Sequence, residues 1–243
     1  MIGADILHRV DRFWAGYFGC SPEDLNRRGV LVLPHRALEG YDGVLVFRHG
    51  ETCVVSVPEM TPEIERERLR KATPEQAFDP DFLSRNFVVW KDRVSPPAWV
   101  GILDPARYKA VATTARLLSR DDEKAVRGLA EGCGEIAWKQ SKLTLDREPN
   151  FGLFLGDDLV AASGYLAMGQ TIAYIGVVTH PQHRGKGYAR QVVTASVKHA
   201  FERNLIPMWR TPQANEAAVA LAKAIGFEQY SSTRDVQLVE DEF

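Results

Sequence analysis

The chain has 243 residues, 45% hydrophobic and 26% charged, a composition typical of a globular protein with one large or two small domains. Its formal net charge of −2 gives no basic footprint, so we expect no nucleic-acid partner. Cys20, Cys53 and Cys133 lie far apart without metal-ligand spacing, which predicts reduced thiols and no metal. The chain has no apolar run of about 18 residues and its first residues lack a signal-peptide layout, so we expect a cytoplasmic protein without a membrane partner.

The first half of the chain combines one amphipathic helix with short apolar segments. Apolar residues at helical spacing predict helices, and runs rich in β-branched residues predict strands. Ser followed by Pro is typical of a helix start, with Ser as the N-cap. In chain order, we predict a helix over residues 4–18, a helix start at Ser21-Pro22, a strand over 30–33, a hairpin of 44–47 with 52–57, and helices over 61–72 and 79–85.

A boundary between two halves is predicted shortly after residue 103. The Pro-rich stretch 95–97 and the pair Asp104-Pro105 flank a short apolar strand over residues 98–103. We therefore expect an N-terminal α/β domain over residues 1–108 and a second domain over 112–243. The first domain repeats the order of the second only loosely, so it is either a degenerate copy of that fold or a separate cap.

The second half alternates strands and helices. Its periodicity predicts a strand over residues 112–118, helices over 121–131 and 135–141, a hairpin of 151–155 with 159–167, a strand over 171–179, a helix over 188–203, a strand over 205–211, a helix over 215–224, and strands over 227–231 and 234–239.

The turn between the strand over 171–179 and the helix that follows has the character of a phosphate-binding loop. Its sequence, QHRGKGYA, places two glycines where a strand ends and a helix opens. Such a turn directs several backbone N–H groups, and the positive end of the helix dipole, toward one point. The run lacks the Walker A pattern, and Arg190 occupies the position of the third glycine of a dinucleotide loop.

Two motifs carry a resemblance to a known family. Gln182-x-x-Gly185-x-Gly187 resembles the acyl-CoA pyrophosphate motif of the GNAT superfamily of N-acetyltransferases. Downstream, Asn215-x-x-Ala218-x-x-Leu221 followed by Gly226-Phe227 is similar to the C-terminal signature of the same superfamily. The resemblance covers about residues 112–243. It implies an α/β (α+β) fold with a mixed, mostly antiparallel twisted sheet flanked by helices, and acetyl-CoA as co-substrate.

The resemblance also implies a set of binding residues. A backbone N–H near Val177 or Val178 is expected to stabilise the oxyanion, and we assign this role to Val178. Arg184 and Lys186 either contact the phosphates or are simply solvated. His180 and His183 are interpreted as surface histidines. The residues expected to bind coenzyme A are Val177, Val178, Thr179, Gln182, His183, Arg184, Gly185, Lys186, Gly187, Tyr188, Ala189 and Asn215.

The groups that move protons are less well marked in the sequence. Glu135 is our candidate for the general base, although it is also compatible with a solvated helix carboxylate, and water could relay the proton instead. Ala222 stands where many members of the superfamily carry the tyrosine that protonates the leaving thiolate. Because a thiol has a pKa near ~8.5, the thiolate can leave without that acid.

The sequence therefore predicts an acyl-CoA-dependent N-acyltransferase. The expected reaction is direct attack of a primary amine of a small molecule or peptide on acetyl-CoA, by a monomer or homodimer. The alternative is an acyl-CoA sensor or pseudoenzyme that kept the binding groove and lost turnover, as Ala222 would suggest. A further option is transfer to a hydroxyl group or to a protein lysine.

Overall fold

The computed structural model of the protein describes residues 1–38, 40–87, 94–141, 143 and 149–237. The chain forms two compact units, each assembled from separate stretches of sequence. Unit one consists of Met1–Gly3, Gly101–Arg210 and Ala217–Glu228; unit two consists of Ala4–Val100, Thr211–Glu216 and the chain from Gln229 onward. The expected division into domains at 1–108 and 112–243 stays a prediction.

Unit two is built on a sheet with the strand order β1-β3-β2-β10. β1 runs parallel to β3, whereas β2 is antiparallel to both β3 and β10. The hairpin of β2 and β3 was predicted, and its turn contains Gly50 at a φ of 54°. The elements are α1 (Ala4–Phe18), β1 (Gly29–Pro34), β2 (Val44–His49), β3 (Thr52–Val57), α2 (Glu63–Arg70), α3 (Pro74–Phe78), α4 (Pro80–Asn86) and β10 (Glu228–Val236).

The first helix follows directly from its apolar pattern. Ile6, Val10, Trp14 and Phe18 recur every four residues and are all buried. Residues at this spacing lie on one face of a helix, so α1 buries a single stripe. The aromatic rings of this stripe pack against Phe47 of β2, with the Trp14 and Phe47 centroids 4.8 Å apart. The predicted bounds of α1 are those observed.

In unit two the structure corrects one prediction and adds one helix that was not predicted. The helix start expected at Ser21-Pro22 is a single 3₁₀ turn at Asp24–Asn26. The Ser21 and Asp24 side chains exchange hydrogen bonds with each other's backbone, but Gly29, at a φ of 131°, soon turns the chain into β1. The short helix α3 was not predicted, although Thr73 and Gln76 form the capping box that begins it.

Unit one contains the strand order β9-β8-β7-β6-β5. β5 to β8 are antiparallel neighbours, and β9 runs parallel to β8. This mixed, mostly antiparallel sheet flanked by helices confirms the predicted fold class. Its elements are the end of β4 (Ala98–Ile102), β5 (Arg116–Leu117), α5 (Glu123–Cys133), α6 (Glu135–Ser141), β6 (Asn150–Leu155), β7 (Asp158–Met168), β8 (Ile172–Thr179), α7 (Tyr188–Glu202), β9 (Ile206–Pro212) and α8 (Glu216–Ile225).

Helices cover both faces of this sheet. On one face, Val126 and Leu129 of α5 pack with Val178 in one apolar cluster. On the other face, Val192 of α7 packs with Val160 and with its neighbours in a second cluster. Because alternate residues of a strand point to opposite faces, β7 and β8 contribute side chains to both clusters.

Two strand predictions for the second half are wrong. The strand expected over residues 112–118 is reduced to Arg116–Leu117, which pairs with β6. Thr113 Oγ1 accepts a hydrogen bond from the N–H of Ala115, a local turn contact that competes with a ladder. The two strands expected over 227–231 and 234–239 form one strand, Glu228–Val236, which pairs with β2 without interruption from Ser232 to Val236. Residues 238 and 239 of the second prediction lie outside the described residues.

Two glycines opposite each other on β7 and β8 allow other backbone to approach the sheet. Gly164 pairs with Gly176 across the two strands. A Cβ on Gly176 would lie 1.9 Å from the carbonyl oxygen of Ser141, at the end of α6. A Cβ on Gly164 would lie 2.2 Å from Asn150 Oδ1. Glycine at these positions therefore lets the end of α6 and the start of β6 lie directly against the sheet.

We expect Gly176→Ala to destabilise the protein by about 1–3 kcal/mol, because the new methyl group must displace the backbone of Ser141. Gly128→Ala in α5 is the matched control: its Cβ would meet nothing within 4 Å, and alanine should stabilise this helix by about 0.5–1 kcal/mol. Urea unfolding measures both effects. Equal free energies of unfolding for the two variants would contradict the close approach of Ser141.

Candidate functional site

The parallel pairing of β8 with β9 ends early. The register joins Ile172 with Ile206, Ala173 with Pro207 and Tyr174 with Met208. β8 continues to Thr179, and β9 also continues, but no further pair between them occurs in this fully described stretch. The two strands therefore separate and leave a gap along one edge of the second half of β8.

The backbone groups of β8 alternate between the two sides of the strand. The N–H of His180 donates to Val160 on the β7 side, at 2.9 Å. The carbonyl of Thr171 accepts from Ile206 on the β9 side, at 2.8 Å. Because this orientation alternates along a strand, odd-numbered residues of β8 direct their N–H and C=O groups toward β9, and even-numbered residues direct theirs toward β7.

This alternation distinguishes the two predicted oxyanion donors. Val178 pairs with Ala162, and its N–H faces β7 in that ladder. Val177 and Thr179 direct their backbone groups into the gap instead. A ligand in the gap would therefore meet the N–H of Val177, and the N–H of Val178 is on the wrong side of the strand for the role assigned to it.

The turn after β8 leaves a run of backbone N–H groups without an acceptor. The N–H of His183 donates to His180, and that of Arg184 to Pro181, within a 3₁₀ turn at Pro181–His183. The next backbone hydrogen bond along the chain is the one that the N–H of Gln191 donates to the carbonyl of Gly187, at 3.3 Å. No acceptor is found in the described chain for the N–H groups of residues 185–189.

The two glycines of the motif give this turn its shape. Gly185 and Gly187 have φ angles of 75° and 80°, in the left-handed region that glycine adopts without strain. Gly187 is the N-cap of α7, and no side chain caps that helix end. A Cβ at either glycine would meet nothing within 4 Å, so the space above the turn is open. An uncapped helix end with free N–H groups is suited to bind an anion.

The side chains of the turn are mostly at the surface. Gln182, Arg184 and Lys186 are exposed, and Arg184 Nε donates to the carbonyl of Thr179 at 3.3 Å. Tyr188 and Ala189 are half-buried at the start of α7. Arg184 therefore supports the backbone of the turn itself.

The second motif is placed around α8. Asn215 directly precedes this helix, is exposed, and has its N–H bonded to the carbonyl of Pro212 at 2.9 Å. It belongs to unit two, whereas the turn after β8 belongs to unit one. Ala222, at the position of the missing tyrosine, is completely buried. A larger side chain at this position would have to displace the protein interior.

Glu135 lies at the start of α6 with its side chain in solvent. Its carboxylate pairs with Lys139 one turn later, at 2.7 Å, and both side chains are more than 70% exposed. Pairs of this kind at i,i+4 are common on exposed helix faces. The role of Glu135 as a base stays a prediction, and its surroundings offer no burial that would favour that role.

A cavity of about 920 Å³ adjoins the turn from the α5 side, and the sequence did not predict it. His180, Gln182 and His183 of the turn form one wall, and the tip of the β6–β7 hairpin forms another. The remaining lining residues come mainly from α5 and from the segment before it: Thr114, Arg116, Asp121, Asp122, Lys124, Ala125, Gly128 and Leu129.

An ion pair fixes one end of this cavity. Arg116 donates two hydrogen bonds to the carboxylate of Asp122, at 2.6 and 2.8 Å, and its guanidinium lies 4.4 Å from the centre of the Phe154 ring. The hydrogen bonds from Arg116, aided by the Ser119 N–H, hold the pKa of Asp122 well below its usual range. The spacing Ser119-x-x-Asp122 is a capping-box pattern that is visible in the sequence.

Comparison with known proteins finds a family that resembles the part of the chain around β8 and the turn. The model of the GNAT acetyltransferase family matches residues 151–234, which is less than half of the chain. This match confirms the resemblance drawn from the two motifs, both of which lie within the matched residues. Residues 151–234 are therefore similar to the GNAT acetyltransferase family. No curated protein matches the chain.

Solved structures agree on the fold. A GNAT-family acetyltransferase from Colwellia psychrerythraea is 20% identical, with a TM-score of 0.51, over 60% of this chain and 57% of its own. A putative GNAT-family acetyltransferase from Novosphingobium aromaticivorans is also 20% identical, with a TM-score of 0.48, over 61% of this chain and 66% of its own. The match thus spans less than two thirds of either structure. A GCN5-related N-acetyltransferase-like protein from Streptococcus suis aligns over 96% of this chain and 98% of its own, at 16% identity and a TM-score of 0.48.

The described residues include no candidate membrane span and no candidate metal site. No helix among them is long and apolar enough to cross a membrane. No group of three or more His, Cys, Asp or Glu side chains among them could hold a metal ion.

The Arg116–Asp122 pair gives a pH-dependent prediction. The pKa of Asp122 is lower in the folded protein than in the unfolded chain. The ionised carboxylate therefore stabilises the fold fully above the unfolded carboxyl pKa of about 3.9, and this stabilisation is lost as the pH falls toward the folded pKa. We expect Asp122→Asn to cost about 1–2 kcal/mol at neutral pH, since Arg116 is half exposed. Thermal unfolding from pH 7 down to pH 3 measures this. A difference that stays constant over that range would contradict the assignment.

Proposed function

We propose that the protein is an acyl-CoA-dependent N-acetyltransferase that transfers acetyl from acetyl-CoA to a primary amine of a small molecule or peptide. One observation carries the proposal: a single strand, β8, both borders a gap with free backbone groups and leads into a turn with free N–H groups. The GNAT family match over these residues supports the same reading. The cytoplasmic location and the monomeric or dimeric state stay predictions.

The turn fits the diphosphate of coenzyme A. The N–H groups of residues 185–189 have no acceptor in the described chain, and open space lies above Gly185 and Gly187. Phosphate oxygens would satisfy these donors and interact favourably with the positive end of α7. Of the predicted contacts, His183 and Arg184 would act through their side chains, because their N–H groups are already bonded within the 3₁₀ turn.

The gap fits the extended arm of the same molecule. Pantetheine carries two amide groups, and the N–H and C=O of Val177 and the N–H of Thr179 could pair with it as a further strand would. Acetyl-CoA, when bound, supplies the acyl group as a thioester. Its carbonyl would lie near the N–H of Val177, and we propose this N–H, in place of that of Val178, as the donor to the oxyanion. A donor of this kind typically contributes about 10²–10³-fold to the rate.

Holding the amine against the thioester would supply most of the remaining acceleration. The amine must lose a proton, and the exposed carboxylate of Glu135 or a water molecule would accept it. Ala222 offers no acid, so the thiolate would leave unprotonated or be protonated by water. Because general acid catalysis is typically worth about 10²–10⁴-fold, we expect slow turnover.

The alternative, an acyl-CoA sensor with little or no turnover, is favoured by two specific observations. Ala222 is completely buried, and Glu135 is solvated and paired with Lys139. Neither would weaken binding, because neither residue belongs to the proposed phosphate turn or to the free edge of β8. Transfer to a hydroxyl group or to a protein lysine remains a third candidate, without an observation that favours it.

Binding can be tested at the turn. Gly185→Asp places a carboxylate where the phosphates would lie, and we expect affinity for coenzyme A, measured by titration calorimetry, to fall at least 100-fold. Gly169→Asp is the matched control, since Gly169 also has a positive φ, 58° against 75°, with open space at its Cβ. Gly185→Asn separates bulk from charge and should bind better than the Asp variant. Unchanged affinity in Gly185→Asp would exclude the turn as the phosphate site.

Turnover can be tested by thiol release from acetyl-CoA with a panel of amines, amino acids, aminoglycosides and short peptides. We expect slow release that depends on one class of amine, with the acetylated amine detected by mass spectrometry. If coenzyme A binds but no member of the panel accelerates thiol release above background, the result contradicts the proposed transferase and supports the acyl-CoA sensor.

A further inference from the structure

The guanidinium of Arg190 donates hydrogen bonds to two carbonyl groups outside its own helix. It is the third residue of α7, and its Nη2 donates to the carbonyl oxygens of Lys109, at 3.3 Å, and Ala224, at 3.2 Å. Its Nε is buried and has no acceptor in the described chain. The two Nη2 contacts are therefore the hydrogen bonds that orient this guanidinium.

One of these carbonyls belongs to a segment that runs across unit one, here named the strap (residues 107–109). The N–H of Lys109 donates to the carbonyl of Ile225 at 2.8 Å, and Tyr108 Oη donates to the carbonyl of Thr194 at 2.8 Å. The carbonyl of Arg107 lies against Gly226, where a Cβ would come within 2.1 Å of it. The strap thus connects α7 with the end of α8.

The other carbonyl lies at the C-terminal end of α8. Ala224 is the penultimate residue of α8, whose last carbonyls carry the negative end of the helix dipole. A cation at this position interacts favourably with the dipole, and the two N–H bonds of Nη2 allow this one nitrogen to reach both carbonyls at once. Arg190 therefore ties the first turn of α7 to both the strap and the end of α8.

The start of α7 needs such a tie because it lacks a side-chain cap. A capping side chain typically stabilises a helix end by about 1 kcal/mol, but it does so by bonding to the first N–H groups. In this protein those N–H groups are the ones proposed to bind phosphate. Arg190 bonds to carbonyl groups outside α7, so it can stabilise the helix end without using the first N–H groups of the helix. Those N–H groups stay free to donate to a ligand.

We propose that Arg190 is a positioning residue for the phosphate turn: it fixes the first turn of α7 against the strap and α8, so that the N–H groups of residues 185–189 converge without a cap. The ligand part of this inference rests on the proposed function. The structural part, that Arg190 holds the start of α7 in place, does not.

Amide hydrogen exchange tests the structural part without any ligand. The first protected N–H groups of α7 are those that follow the turn, beginning with Gln191, which bonds to Gly187. In Arg190→Gln we expect exchange at residues 191–193 to accelerate roughly tenfold, the equivalent of about 1.4 kcal/mol. Arg127→Gln, which removes an exposed arginine from α5, is the control and should leave these amides unchanged. Unchanged exchange in Arg190→Gln would overturn the proposal.

Titration calorimetry tests the functional part with two probes, coenzyme A and pantetheine, which lacks the diphosphate. We expect Arg190→Gln to weaken coenzyme A roughly tenfold and to leave pantetheine unaffected, since positioning acts on the diphosphate donors. Arg190→Lys keeps the charge, but its ammonium ends one bond short of the position of Nη2, so this variant should bind as weakly as the Gln variant. Full affinity in Arg190→Lys would overturn positioning in favour of direct charge attraction. If the unaltered protein binds neither probe, the proposed function fails, and exchange still decides the role of Arg190.

Discussion

The early end of the β8–β9 pairing is the constraint on which the candidate site depends. A parallel pair that continued to Thr179 would use the odd-numbered backbone groups of β8 in its own ladder. Since the pairing stops at Tyr174 and Met208, those groups face a gap and need water or a ligand as partner. Binding to this edge is then an extension of sheet formation, and it requires no particular side chain.

The rest of unit one holds β8 in this position from both faces. On the α7 side, Ser196 Oγ donates to Ser163 Oγ at 2.9 Å, and Ser163 Oγ donates to the carbonyl of Gly176 at 2.8 Å. Both serines are completely buried, so this chain of hydrogen bonds satisfies groups that would be costly if unpaired. On the α5 side, the carbonyl of Ser141 lies against Gly176. The segment of β8 with free edge groups is therefore supported by polar contacts on one side and by close backbone packing on the other.

Local sequence patterns predicted most of the elements and two hairpins, but not which backbone groups each strand uses in its pairing. The helix α1, the strand β8 and the turn after it follow from periodicity and glycine spacing, which are properties of a few neighbouring residues. The choice between Val177 and Val178 depends on which N–H already serves the ladder with β7, and this register is set by tertiary structure. The cavity beside the turn was missed for the same reason, because α5, a hairpin tip and the turn meet only in the fold. By contrast, the capping pairs of Thr73 and Ser119 were present in the sequence as spacing signals.

Binding and turnover depend on different kinds of groups in this protein. The proposed cradle and edge consist of backbone N–H and C=O groups, whose availability is fixed by the fold and by glycine conformation. Proton transfer requires side chains, and here the two candidate positions hold a buried alanine and a solvated glutamate. Under the proposed function, a group that supplies or accepts the proton would therefore change the rate of transfer by about 10²–10⁴-fold and leave coenzyme A binding preserved. An enzyme and a sensor can share this fold and differ by very few residues, which is why binding alone does not separate the two.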